Sequence, residues 1–158
     1  MKIHQSRWTA QNGWAPTPAE ARHSHLVLVF ADTPYFREAG CFAELRAHYP
    51  TAVILGCTSS GNILGTRITD NDMVATAITL NDSRVRLVRA AVEPGDNSKE
   101  VASALLAALA HPELKHVMLL SEGLAVNGSE LAAGVSGHAL TATGGLAGDG
   151  SRFEQTWV

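Results

Sequence analysis

Apolar runs of strand length recur along the chain, separated by polar segments that carry caps and helical spacing. From His25 to Ala31 the chain reads His-Leu-Val-Leu-Val-Phe-Ala, the continuous apolar run expected of a strand buried on both faces. Asp32-Thr33-Pro34 then supplies a capping side chain followed by proline, a helix start. Tyr35, Ala39, Phe42 and Leu45 follow at helical spacing, with Gly40 a weak point, and Tyr49-Pro50 ends the helix. Ala52 to Cys57 is a second buried strand, and the order strand, helix, strand predicts a parallel pair. Met73 to Leu80 and Val85 to Val92 read as two further strands. Asn81-Asp82-Ser83-Arg84 lies between them and predicts an antiparallel hairpin. The expected fold is therefore mixed α/β, a mixed parallel and antiparallel sheet with packed helices.

Further on, Asn97-Ser98-Lys99-Glu100 has the form of a capping box, with Val101, Leu105, Leu106 and Leu109 on one helix face. Val117 to Ser121 is a short apolar strand. Asn127-Gly128-Ser129-Glu130 repeats the capping pattern and opens a helix through Val135, which Gly137 can terminate. Leu140 to Thr143 leads as a strand into a glycine-rich segment, and Phe153 to Val158 looks like a strand just begun. Residues 1–24 are weakly patterned, with a short helix start at Thr17-Pro18-Ala19-Glu20. The expected organisation is an N-terminal segment, 1–24, and one domain, 25–158. With no closing helix or polar tail, the chain reads as the first part of a longer protein.

Composition narrows the function. The 158 residues suffice for one core, and the net charge of −3 provides no basic surplus for nucleic acid or an anionic membrane. No apolar run is long enough to cross a bilayer, and the N-terminus has no signal pattern. Cys41 and Cys57 read as buried thiols in a reducing compartment, so the expected location is the cytoplasm.

Two segments carry the candidate chemistry. Gly144-Gly145-Leu146-Ala147-Gly148-Asp149-Gly150 places one carboxylate among glycines, which let backbone approach a ligand or another strand closely. Gly56-Cys57-Thr58-Ser59-Ser60-Gly61-Asn62 follows a buried strand with donors and acceptors able to hold a carboxylate or amide. Its hydroxyls can equally bond their own turn, and the glycines can serve packing alone. The glycine segment lacks the lysine of a P-loop and the Gly-x-Gly-x-x-Gly order, which makes nucleotide binding a weak reading.

In order along the chain, Leu26 to Ala31, Tyr49-Pro50, Val53 to Gly61, Leu120-Ser121-Glu122-Gly123-Leu124, Asn127 to Leu131, Gly144-Gly145-Leu146-Ala147-Gly148-Asp149, Phe153 and Thr156 resemble the N-terminal domain of the FIST family. The resemblance covers residues 25 to 158, and the Gly-Gly-Leu-Ala-Gly-Asp run is its most specific part. One departure stands out: the family carries a glutamate after its Gly-Cys-Ser/Thr-x-Gly loop, where this chain has Asn62. The resemblance implies a sensory domain beside or fused to signalling modules, with amino acids or similar small polar molecules as ligands. A downstream signalling protein or a fused domain is the implied partner. Some members are described as haem proteins that sense nitric oxide, so haem is a second implied ligand.

The residues that follow as a candidate ligand site are Thr58, Ser59, Ser60, Gly61, Asn62, Asn127, Gly145, Gly148 and Asp149. In this reading the hydroxyls and the amide hold a carboxylate and Asp149 holds an amine. No catalytic residue and no metal ligand is expected. The seven histidines show no zinc-binding spacing, although a single axial histidine for haem needs none. A hydrolase built on Cys57 or a hydroxyl stands as the lowest alternative, and a domain that only binds a partner protein is the fourth.

Overall fold

The computed structural model describes residues 1–18, 23–37, 39–93 and 95–158. In chain order the elements are β1 (Lys2–Thr9), β2 (Gly13–Ala15), β3 (Leu26–Ala31), α1 (Thr33–Arg37), α2 (Ala39–His48), β4 (Val53–Thr58), β5 (Asn62–Leu64), β6 (Arg67–Thr69) and β7 (Met73–Thr79). They are followed by α3 (Ser98–Leu109), β8 (His116–Ser121), α4 (Gly128–Val135) and β9 (Thr141–Leu146). The expected mixed α/β class is what forms.

A five-stranded sheet runs in the order β2-β1-β7-β3-β4. Its parallel part is β3 with β4, in register from Leu26↔Val53 to Ala31↔Thr58, and α1 and α2 make the crossover. β7 lies antiparallel between β1 and β3. Val27, Val29 and Ala31 point into a core shared with Cys41, Leu45 and Tyr49 of the crossover segment. Leu26, Leu28 and Phe30 alternate with them on the opposite, half-buried face. Cys41 and Leu45 of α2 and Tyr49 just beyond it, four residues apart, form the buried stripe of the crossover. Phe42 is half exposed instead, beneath the Arg46 guanidinium.

A smaller parallel pair, β8 with β9, is packed on α3 and α4 around Ala102, Leu106, Val117, Leu131 and Val135. The two helices close tightly at Gly134, where an added Cβ would lie 2.4 Å from the Lys99 carbonyl oxygen. Both begin on asparagine caps: Asn97 accepts from the amides of Lys99 and Glu100, and Asn127 from those of Ser129 and Glu130.

Several sequence expectations change. Val85 to Val92 is not a strand, and the hairpin predicted with Met73 to Leu80 does not form. The antiparallel partners of β7 are instead β1, from the N-terminal segment, and β3. Alternating apolar residues such as Leu87 fit a strand pattern, yet Leu87 stays half exposed because no sheet edge reaches it. The weakly patterned N-terminus supplies β1 and β2, which join β3, β4 and β7 in the five-stranded sheet. Phe153 to Val158 is irregular, and the glycine segment continues the predicted Leu140–Thr143 strand as far as Leu146. Residues 19–20 of the expected Thr17–Glu20 helix lie outside the described residues. No helix among the described residues is long and apolar enough to cross a membrane.

Candidate functional site

The two loops singled out in the sequence meet where both parallel pairs end. Beyond β4, the Ser59 amide donates to the Ala31 carbonyl (2.9 Å), which carries the loop across the end of β3. Beyond β9, the Ala147 amide donates to the Ser121 carbonyl (2.8 Å) at the end of β8, and the Gly148 amide to the Thr58 carbonyl (3.0 Å). The Gly150 amide then donates to Ser60 Oγ (3.0 Å). Gly148 allows this approach, since a Cβ there would lie 2.4 Å from Ser60 Oγ and displace that hydroxyl.

A cleft of about 450 Å³ opens beside this junction. Phe30, Met118, Leu120 and Leu146 give it an apolar wall, and Thr58, Ser59 and Ser60 a hydroxyl rim. Gly145 and Gly148 expose backbone on its side. The rim hydroxyls differ in what they have left to offer. Ser59 Oγ donates to the Gly61 carbonyl (2.6 Å), and fully buried Thr58 accepts the Trp157 amide (3.1 Å). Exposed Ser60 accepts from Gly150 and keeps its proton. Cys57 also lines the cleft, and burial pushes its thiol up to about 11, so the sulfur stays protonated near neutral pH. A second cleft, of about 320 Å³, lies between α4 and β9 against Leu131, Val135 and Leu146.

Asp149 is buried directly behind the rim and is saturated. It accepts from Arg152 Nε (3.0 Å) and Nη2 (2.6 Å), from the Thr33 hydroxyl, and from the amides of Gln155 (3.1 Å) and Glu154 (3.2 Å). The Arg152 guanidinium above all, then the Thr33 hydroxyl, holds its carboxyl well below the usual carboxylate range. Glu122 plays a parallel part at the end of β8, accepting from Ala125 N (2.6 Å), Leu124 N (2.7 Å) and Thr156 Oγ1 (2.8 Å). Burial pushes the Glu122 carboxyl up, but those bonds outweigh it and bring it below its ordinary value. Between them the two carboxylates pin residues 149–157 as a strap. The strap closes on β4 through Thr58 N to the Trp157 carbonyl (3.0 Å), with Arg37 over the Trp157 ring at 5.9 Å.

Of the residues expected at the site, Thr58, Ser59, Ser60, Gly145 and Gly148 line one cleft. Gly61 and Asp149 are adjacent to it and make its loops. Asn127 is apart: its side chain caps α4, and its amide donates to Ser98 Oγ (3.0 Å). Asn62 is fully buried among acids, its Nδ2 donating to Asp72 Oδ1 (2.7 Å) and Asp32 Oδ1 (3.2 Å). There an amide gives two carboxylates a donor, whereas a glutamate at this position would add a third negative charge. Thr33, Arg152 and Trp157 hold the site's loops but stand outside the two sequence segments that mark it. Only the Thr-Pro helix start and the arginine three residues after Asp149 hinted at two of them.

Among the described residues no group of three His, Cys, Asp or Glu side chains is gathered as a metal site. No histidine lines either cleft. The residues present therefore do not fit a histidine-ligated haem in either.

No curated protein matches the chain, and no solved structure does. A family model, the FIST N domain, matches residues 25–158. With that match spanning most of its length, the chain belongs to the FIST family, sensory domains of signal transduction.

Proposed function

We propose that this chain senses a small organic ligand in the cleft between the ends of β4 and β8–β9. The observation that carries the reading is the convergence of a hydroxyl-rich loop after β4 and a glycine-rich loop after β9 at the carboxyl ends of two parallel strand pairs. Crevices at such ends are where α/β folds bind ligands, and a cleft of this volume lies in the range of small-molecule sites. Amino-acid-like small molecules are the class the family resemblance implies, with Ser60 and the glycine backbone meeting a polar group of the ligand. Asp149, with its oxygens engaged, serves as the organiser of the strap and not as the partner of a ligand amine.

A sensor needs an output. The strap touches the rim through Thr58 and Ser60, and contact with a partner protein or another domain would read its position. The ligand must favour one arrangement of strap and rim by its differential affinity for the two. A thiolate nucleophile at Cys57 is disfavoured by its raised pKa.

The test is a thermal-shift screen of small metabolites on the native chain and on Gly145→Leu. A Cβ at Gly145 meets open space, so the leucine side chain would extend into the cleft. Ligands that raise the Tm of the native chain are expected to leave Gly145→Leu unshifted. Hits that shift both proteins equally would remove the cleft from the reading.

A further inference from the structure

We propose that the cleft selects an uncharged, mainly apolar molecule bearing one hydrogen-bond acceptor, and discriminates against ammonium-bearing ligands, zwitterions included. This rests on the cleft being the sensory pocket and specifies what enters it.

Among the described residues, no side chain that lines the cleft carries a charge. The carboxylates behind the rim are already hydrogen-bonded, and exposed Asp70, near Gly61, is not part of the cleft lining. Asp149 takes Arg152, Thr33 and two backbone amides, and Glu122 takes two amides and the Thr156 hydroxyl. Asp32 accepts from Asn62 Nδ2 (3.2 Å) and from the Asn71 amide (2.7 Å). The Arg152 guanidinium is engaged by Asp149 at 2.6 Å. An ammonium entering the cleft would lose water and find no carboxylate in return, an unfavourable exchange for any unpaired charge. The wall supplied by Phe30, Met118, Leu120 and Leu146 rewards apolar surface, and Met118 can adapt to different shapes.

Among the rim side chains, one hydroxyl keeps a free donor. Ser59 has given its proton to Gly61, and Thr58 is fully buried and holds Trp157. Ser60 Oγ, with one lone pair on Gly150, still has its proton to donate. A carbonyl or ether oxygen is the complement of that donor. Of the amino-acid-like class, neutral amides, esters and related derivatives match the site, and the free zwitterions do not.

Four compounds that share a phenyl ring on a two-carbon arm separate the charges. Hydrocinnamamide is neutral, phenethylamine cationic, hydrocinnamate anionic and L-phenylalanine zwitterionic. Calorimetric titration of the native chain is expected to show hydrocinnamamide binding at least about tenfold more tightly than phenethylamine or L-phenylalanine. Propylbenzene, which lacks the acceptor, is expected to bind more weakly than the amide to the native chain and equally to Ser60→Ala. A loop merely loosened by the substitution would lower both affinities together and leave their ratio intact, which would overturn the role of Ser60. Equal or tighter binding of either ammonium compound would overturn the charge selectivity. Failure of hydrocinnamamide to bind at millimolar concentration would overturn the ligand class. If screened hits still lose their effect in Gly145→Leu, that failure leaves the sensory pocket standing; if they do not, both readings fall.

Discussion

Two adjacent glycines in β9 obey opposite rules. Gly144 has φ +146°, and a Cβ added there would lie 1.8 Å from the Leu119 carbonyl oxygen of β8. Gly145 would place its Cβ in open cleft. Gly144→Ala is therefore expected to cost about 2 kcal/mol or more, and Gly145→Ala to stay within about 0.5 kcal/mol, in urea denaturation. Equal losses would contradict the geometry of the β8–β9 pair. The sequence shows both glycines but not which one touches backbone, because that depends on a partner strand more than twenty residues earlier. Asp149 was legible in the same limited way. Its place among glycines marked it, but the bonds that engage it come from Arg152 and Thr33, the latter remote in sequence. Its folded-state pKa lies below the unfolded value of about 3.9, so its contribution is fully present above that pH and lost as pH falls through the acid range. Asp149→Asn should be less stable than the native chain at pH 6 and should lose less stability between pH 6 and pH 3. Parallel losses in the two proteins would show that Asp149 is not linked to acid unfolding.

The elements most readable from sequence were those with a local signal. α3 and α4 announce themselves by Asn-x-x-Glu caps, and β3 and β4 by unbroken apolar runs flanking a capped crossover. β1 carries Lys2, His4, Gln5, Ser6 and Arg7 and shows no such run, yet it forms by pairing along β7 from Lys2↔Thr79 to Trp8↔Met73. Val85 to Val92 has the opposite character, a strand-like pattern without a partner edge. Sheet membership is a non-local property, and single-strand patterning cannot supply it. The same distinction separates Asn127 from the site. Its amide pattern looked like ligand chemistry and cap chemistry at once, and the cap is where its side chain is engaged. Asn127→Ala and Asn97→Ala are each expected to cost about 1 kcal/mol, which for a domain of this size lowers Tm by about 2–4 °C. Neither should change the affinity of a cleft ligand. A large affinity loss in Asn127→Ala at unchanged Tm would return that residue to the site.

At the scale of the molecule, the strap of residues 149–157 ties the two halves together. Asp149 anchors it to Thr33 at the start of α1, Thr156 joins it to Glu122 beyond β8, and Trp157 bonds by its backbone to Thr58 at the end of β4. The rim hydroxyl of Ser60 touches the same strap at Gly150. A ligand seated on Ser60 therefore contacts, through one hydrogen bond, the segment that holds both halves in place. Coupling of this kind needs the strap to have two arrangements with different ligand affinity. Trp157 is placed to report them, because it belongs to the strap and its ring is partly exposed under Arg37, while Trp14 is buried in the first core and Trp8 is packed against it beside Tyr35. Ligand addition is expected to change tryptophan emission in the native chain. In Trp157→Phe the change should vanish while calorimetric affinity is kept, since the strap's bonds to Thr58 are made by backbone atoms. An emission change that survives in Trp157→Phe would place the responding element elsewhere. Loss of binding together with the signal would make the ring itself part of the ligand's surroundings, and the strap would then be a wall of the pocket instead of its messenger.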